Sequence, residues 1–152
     1  MKNEIQIKEM SLFDLENIKD ILISDFDDFW NYNILKEEFE SPNSKYIIAK
    51  TNDDKIIGFA GIKIIVDTAD IMNIVVKKSW RNQGVGNLLL NNLVYLCKKL
   101  NLSSLSLEVN EDNQSAIHLY EKFGFKRIGL RKNYYKNNDG IVMEYSLNVP
   151  TD

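Results

Sequence analysis

The chain has 152 residues, 44% hydrophobic and 27% charged, with 19 basic and 22 acidic side chains giving a formal net charge of −3 at pH 7. That length supports one core without disulfides or metal, and the balance excludes a disordered tail and a polycationic nucleic-acid binder. No apolar run approaches the roughly 18 residues that cross a bilayer, and "MKNEIQIKEM" lacks the apolar core of a secretory signal.

Taken in chain order, "EIQIKEM" alternates as a strand does. Ser11 then caps a helix expected across "SLFDLENIKDILISDF", whose Leu12, Leu15, Ile18, Ile21 and Leu22 recur at helical spacing. A short second helix is expected over "ILKEEFE", ahead of Ser41-Pro42. "KYIIAK" and "KIIGFAGIKIIV" read as two strands around the turn "TNDD", and "ADIMNIVV" as a third. After "RNQGVG", Val85, Leu88, Leu89, Leu93, Leu96, Cys97 and Leu100 line one face of a helix, with Asn87, Asn91, Lys98 and Lys99 opposite. "SSLSLEV" alternates, "NQSAIHLYEKF" is helical with Gly124 as its stop, and "FKRIGL" and "GIVMEYSL" are the last strands.

Strands interrupted by helices make this an α/β or α+β domain. No repeat, low-complexity stretch or Pro/Gly-rich linker divides the sequence, and its only prolines are Pro42 and Pro150, so residues 1–152 are expected to form a single domain. Cys97 has no partner for an internal disulfide and falls on the apolar helix face. A buried thiol in a reducing compartment follows, and the cytoplasm is the expected address. The charges are uneven: residues 4–40 hold eleven acids against three bases, including Asp25, Asp27 and Asp28, whereas residues 122–136 hold six bases and no acid.

The order strand, glycine-bearing loop, helix suits an anion, because the first N–H groups of a helix lack internal partners and carry the positive end of its dipole. Gly84 and Gly86 remove side chains that would block a pyrophosphate, and Arg81 can add a charge-assisted contact. By itself the spacing also fits a tight turn. A dinucleotide fingerprint would need a small residue where Leu89 stands, and a P-loop would need Gly-Lys-Ser/Thr where Gly86 is followed by Asn87 and Leu88. What remains is a different nucleotide-containing ligand. No His/Cys/Asp spacing indicates a metal site.

"RNQGVG" resembles the Arg/Gln-x-x-Gly-x-Gly/Ala signature of the GCN5-related N-acetyltransferase (GNAT) superfamily. "LEVNEDNQSAIHLYEKFGFKRIGLRKNYY", Leu107 to Tyr135, is similar to its bacterial ribosomal-protein-alanine N-acetyltransferase branch, while the first 60 residues fit only in outline. The resemblance implies a mixed, mostly antiparallel sheet of about six or seven strands flanked by about four helices. It implies acetyl-CoA as co-substrate, with no metal. Ile74, Val75 and Val76 would bind the pantetheine arm, a backbone N–H near Val76 would meet the oxyanion, and Arg81, Asn82, Gln83, Gly84, Val85, Gly86 and Asn87 would hold the pyrophosphate. Asn113 and Tyr120 would complete the cofactor site.

Glu108 alternates with Leu105 and Leu107, so its side chain leaves their face of the strand. It is the expected general base. At pH 7, deprotonating an α-amine costs about 1 kcal/mol and a lysine nearly 5, so a modest carboxylate base suits a terminus. Tyr120 is the expected general acid for the departing thiolate, transfer being direct, and Tyr134 and Tyr135, in a polar loop, would grip the acceptor peptide.

The expected acceptor is the N-terminal α-amine of a ribosomal protein beginning with alanine. Other termini, a lysine, a small amine, or a non-catalytic acetyl-CoA-binding module stay open as alternatives. Nucleic acid and membrane are not expected as partners, and a monomer or weak dimer is expected. Asp25, Asp27 and Asp28 would attract a cationic peptide.

Overall fold

Alternation in "IQIKE" forms β1, Ile5–Glu9, and Ser11 starts α1, Leu12–Ile18, in the computed structural model, which describes residues 4–26, 31–135 and 137–147. The Asp14 N–H donates to Ser11 Oγ at 3.1 Å, and the Ser11 N–H donates to Asp14 Oδ2 at 2.9 Å. This reciprocal cap satisfies donors the helix cannot. Ser11→Ala is expected to lower the unfolding free energy by about 1 kcal/mol, read by denaturant titration.

One regular helix over residues 11–26 was the expectation, but the coil tightens to a 3₁₀ turn at Lys19–Ile21 and widens to a π turn at Leu22–Phe26. A tight turn over-rotates side chains and a wide one under-rotates them, so the departures offset. Leu15, Ile18, Leu22 and Phe26 are all buried, while Leu12 is 43% exposed. Asn31 then caps α2, Tyr32–Glu40, accepting from the N–H groups of Asn33 and Ile34. The helix stops at Ser41, where Pro42 disfavours helical backbone.

Among the described residues, seven strands follow the order β1-β2-β3-β4-β5-β7-β6, with β2 at Ser44–Thr51, β3 at Ile56–Ile65, β4 at Thr68–Val76, β5 at Ser104–Asn110, β6 at Lys126–Tyr135 and β7 at Asn138–Ser146. The pairs β1/β2, β2/β3, β5/β7 and β6/β7 are antiparallel, whereas β4 and β5 run parallel. With α3, Val85–Lys99, and α4, Gln114–Phe123, this is the mostly antiparallel, four-helix fold that the sequence implied.

The chain divides into two compact units, Met1–Ile64 with Met72–Leu93, and Ile65–Ile71 with Val94–Asp152. In the first, Leu15, Ile18, Leu22, Phe26, Leu35, Ile48, Phe59 and Val75 form the core, with the Phe26 and Phe59 rings 5.4 Å apart. The start of α3 approaches β3 at Gly58, where an added Cβ would lie 3.1 Å from Leu89 Cδ1 and 3.3 Å from Val85 Cγ1. This approach fixes the rotation of the helix. Leu90 and Val94 are buried with Leu89, Leu93 and Cys97, whereas Leu88 and Leu96 are only half-buried and Leu100 is exposed, so the buried stripe is rotated from the expected one toward Leu90 and Val94.

In the second unit, Leu105, Leu107 and Val109 are buried on alternate residues of β5. Gly124, at φ +122°, ends α4 by donating its N–H to the carbonyls of Tyr120 and Glu121. Strand β6 runs five residues past the expected "FKRIGL" because its pairing with β7 survives an irregularity between Arg131 and Tyr135. Asn133 takes φ +55° there, a conformation asparagine tolerates, and its N–H donates to Asp139 Oδ1 at 2.9 Å. Tyr134 and Tyr135 therefore stand on a strand, not in a loop.

Candidate functional site

In the first unit, Ile74, Val75 and Val76 end β4, a 3₁₀ turn covers Lys78–Trp80, and Arg81 to Gly84 lead into α3. Asn82 has φ +62° and Gly84 φ +88°, so the loop reverses through two left-handed residues. The Leu88 N–H donates to the Gly84 carbonyl, which starts the helix and leaves the N–H groups of Val85, Gly86 and Asn87 without partners along it. No acid lies in the first turn.

Gly84 and Gly86 differ in what they contribute. A Cβ at Gly84 would meet nothing within 4 Å, but its backbone disfavours a side chain. At Gly86 a Cβ would meet only Val76 Cγ2, at 3.8 Å, so the protein leaves that place open without needing it for packing. An anionic group can thus reach the helix N-terminus, and acetyl-CoA fits on that ground.

Arg81 donates from Nε to the Val76 carbonyl at 3.0 Å and from Nη2 to the Phe26 carbonyl at 2.6 Å. It ties the loop to β4 and to the end of the first helical segment while keeping its charge beside the loop. Gln83 Nε2 donates to the Ser79 carbonyl. Asp25 faces Lys77 at 3.5 Å; Asp27 and Asp28 lie outside the described residues.

In the second unit, Glu108 leaves the buried face of β5, as alternation required, and is half-buried. Its Oε1 accepts from Arg131 Nη1 at 2.7 Å, and its Oε2 is buried with no hydrogen-bond partner. Arg131 also stacks on the Tyr134 ring at 4.6 Å, and Tyr134 meets Tyr135 edge-on with centroids 4.9 Å apart. Gly140 accommodates this, since a Cβ there would come within 3.3 Å of Tyr134.

Burial and then the field of Tyr134 and Glu108 push the Tyr135 phenol up; burial and then Tyr135 push Tyr120 up. Tyr135 thus lies within electrostatic reach of both Glu108 and Tyr120, and three expected site residues share one neighbourhood. Tyr120 keeps its proton at neutral pH. Asn113 caps α4, its Oδ1 accepting from the Ala116 N–H at 3.2 Å. Burial drives the Cys97 thiol up to about 11, which suits an inert core cysteine.

Sequence reasoning missed Arg131 and Asp70. Asp70 stands opposite Ser106 on the neighbouring parallel strand, one diagonal position from Glu108. Burial, then the Glu108 charge, raises its pKa above the ordinary 3.8. The native state therefore binds this proton more tightly than the unfolded chain does. The resulting destabilisation is absent below the unfolded pKa, grows as pH rises toward the folded pKa and persists above it. Asp70→Asn should gain in melting temperature relative to the parent as pH rises from about 3.5 and hold that gain at neutrality, in thermal melts across pH.

A glycine-bearing helix N-terminus after a strand, on a mixed seven-stranded sheet, offers a place for a phosphate-bearing ligand. The acetyltransferase (GNAT) family model matches residues 15–125. The chain belongs to that family and is an N-acetyltransferase using acetyl-CoA as co-substrate. It is 36% identical over 151 residues to a Bacillus subtilis protein provisionally named a ribosomal protein bS18-alanine N-acetyltransferase, covering 97% of this chain and 99% of that one. A Haemophilus influenzae ribosomal protein bS18-alanine N-acetyltransferase is 37% identical over 112 residues, 73% of this chain and 74% of that one. Among solved structures, the ribosomal-protein-S18-alanine N-acetyltransferase from Escherichia coli superposes with a TM-score of 0.88 at 26% identity, covering 98% and 97% of the two chains. Among the described residues no helix is long and apolar enough to cross a membrane, and no group of three or more His, Cys, Asp and Glu could hold a metal.

Proposed function

We propose that the protein acetylates the N-terminal α-amine of a protein beginning with alanine, with ribosomal protein S18, the substrate named for its relatives, as the acceptor. The observation that carries this reading is Glu108: one carboxylate oxygen is held by Arg131 and the other is buried without a donor. An amine can supply that donor and lose its proton there. The energetic demand is small for an α-amine, about 1 kcal/mol at pH 7, against nearly 5 for lysine.

The acetyl thioester supplies the electrophile when acetyl-CoA is bound. The open N–H groups of Val85, Gly86 and Asn87 hold its diphosphate, and Ile74, Val75 and Val76 hold its pantetheine arm. Tyr120, whose phenol is pushed up by burial and by Tyr135, protonates the leaving sulfur. A thiolate leaves well even unprotonated, so Tyr120→Phe is expected to slow turnover only about 10-fold, with most of the acetyl-CoA affinity kept in calorimetry. The chain acts as a single catalytic domain, a reading supported by a family match that runs through both compact units. Its place of work is the cytoplasm.

Peptides with an N-terminal alanine, the same peptides blocked at the α-amine, and peptides whose only amine is lysine separate the readings. Mass spectrometry after incubation with acetyl-CoA should find acetate on the free alanine terminus alone. Acetylated lysine at a comparable rate would overturn the α-amine assignment.

A further inference from the structure

Only two buried side-chain oxygens or nitrogens among the described residues lack a hydrogen-bond partner, Glu108 Oε2 and Asn73 Oδ1. A buried acceptor without a donor costs on the order of 1–3 kcal/mol, so each calls for an explanation. The base role accounts for the first. Asn73 lies just before Ile74 on β4 and is the end of a chain of hydrogen bonds within the first unit.

Tyr46 OH on β2 donates to Glu38 Oε2 on α2 at 2.9 Å, and Asn73 Nδ2 donates to Tyr46 OH at 3.1 Å. The direction of this chain is forced. A carboxylate can only accept, so the single hydroxyl proton is committed to Glu38, and Tyr46 can offer Asn73 only a lone pair. Asn73 must therefore turn its NH₂ toward Tyr46 and its oxygen away. Burial raises the Tyr46 pKa, so the proton stays on the phenol at any working pH. Packing holds the ring as well, for Gly61 faces Tyr46 across β2/β3, and a Cβ there would fall 2.3 Å from the ring.

We infer that Asn73 Oδ1 receives a main-chain amide N–H of the acceptor peptide, and that Glu38, acting through Tyr46, is the positioning residue that keeps an oxygen there. The inference rests on the proposed peptide acceptor. A neutral amide N–H suits this oxygen better than an ammonium, because burying a full charge against one neutral acceptor costs more hydration than the contact returns.

The test removes the acceptor that commits the hydroxyl proton. In Glu38→Met nothing on α2 accepts from Tyr46, the hydroxyl turns its proton to Asn73 Oδ1, and the amide flips to present NH₂ where an oxygen stood. The melting temperature should fall only by the one lost hydrogen bond and acetyl-CoA affinity should hold, while KM for an alanine-headed peptide rises about 10-fold or more. Adding Asn73→Asp restores an acceptor, since aspartate can accept from Tyr46 with one oxygen and offer the other, and KM should recover. A purely structural relay would give neither the rise nor the recovery.

The unaltered protein gives a second measurement that needs no variant to fold. Peptides whose first or second amide is replaced by an ester lose one N–H each, and one of the two should show a KM raised about 10-fold. Turnover of the parent peptide by the unaltered protein checks the acceptor class separately. With that turnover present, a flat KM across both esters, or a folded Glu38→Met with unchanged KM, overturns the inference.

Discussion

Glu108→Gln is expected to lower kcat/KM for an alanine-headed peptide about 10²–10⁴-fold at pH 7, the range for removal of a positioned general base. Glutamine keeps the shape and can still accept from Arg131 with its oxygen, but it puts an NH₂ where the buried Oε2 stood. The incoming amine would then meet a donor. The loss should be deepest at low pH, because an α-amine of pKa about 7.7–8.0 deprotonates unaided as pH climbs, and the variant's rate should rise about 10-fold per unit up to that range. Acetyl-CoA affinity should not change, because Glu108 is not among the residues proposed to hold acetyl-CoA. The melting temperature should shift little, since Arg131 is more than half exposed and its pairing is screened by solvent. A variant within about threefold of the parent at pH 7, with the same pH profile, would remove Glu108 from the chemistry.

What the sequence revealed and what it hid divide along sequence distance. The face of Glu108 follows from period-2 alternation in "SLSLEV", and the anion-ready start of α3 follows from two glycines between a strand and an apolar helix; both are local patterns. Arg131 lies 23 residues from Glu108, and they meet only because β7 pairs with both β5 and β6 in a particular register. No local pattern encodes that. Asp70 meets the Glu108 field through the parallel β4/β5 pairing, and Asn73 reaches Tyr46 from 27 residues away. The tyrosine pair at the end of β6 was mislaid in a loop because "RKNYY" is polar and lacks alternation, and the irregularity before Tyr135 breaks the period without breaking the strand. The early helix deceived in the opposite sense: its apolar spacing is regular, yet the winding changes twice beneath it.

Gly86→Leu should weaken acetyl-CoA binding about 100-fold or more while leaving the fold at least as stable. The residue lies in the first turn of α3 outside the positive-φ region, and its Cβ would touch only Val76 at 3.8 Å, so a β-carbon fits without strain and the substitution replaces a poor helix former. Any loss must therefore come from the ligand side, where a leucyl side chain would stand over the N–H groups of Val85, Gly86 and Asn87. Losing two hydrogen bonds to a charged diphosphate, each about 1.5–3 kcal/mol, accounts for two decades of affinity. Gly84→Ala provides the contrast: nothing lies within 4 Å of its Cβ, but φ +88° costs a side chain about 1–2 kcal/mol, so stability should fall with binding affected only through the loop. Calorimetry with acetyl-CoA and denaturant titration on the two variants should give opposite rankings for affinity and stability. If Gly86→Leu bound acetyl-CoA as tightly as the parent, the open helix N-terminus would not be where the diphosphate rests, and the assignment of residues 82–87 would fall with it.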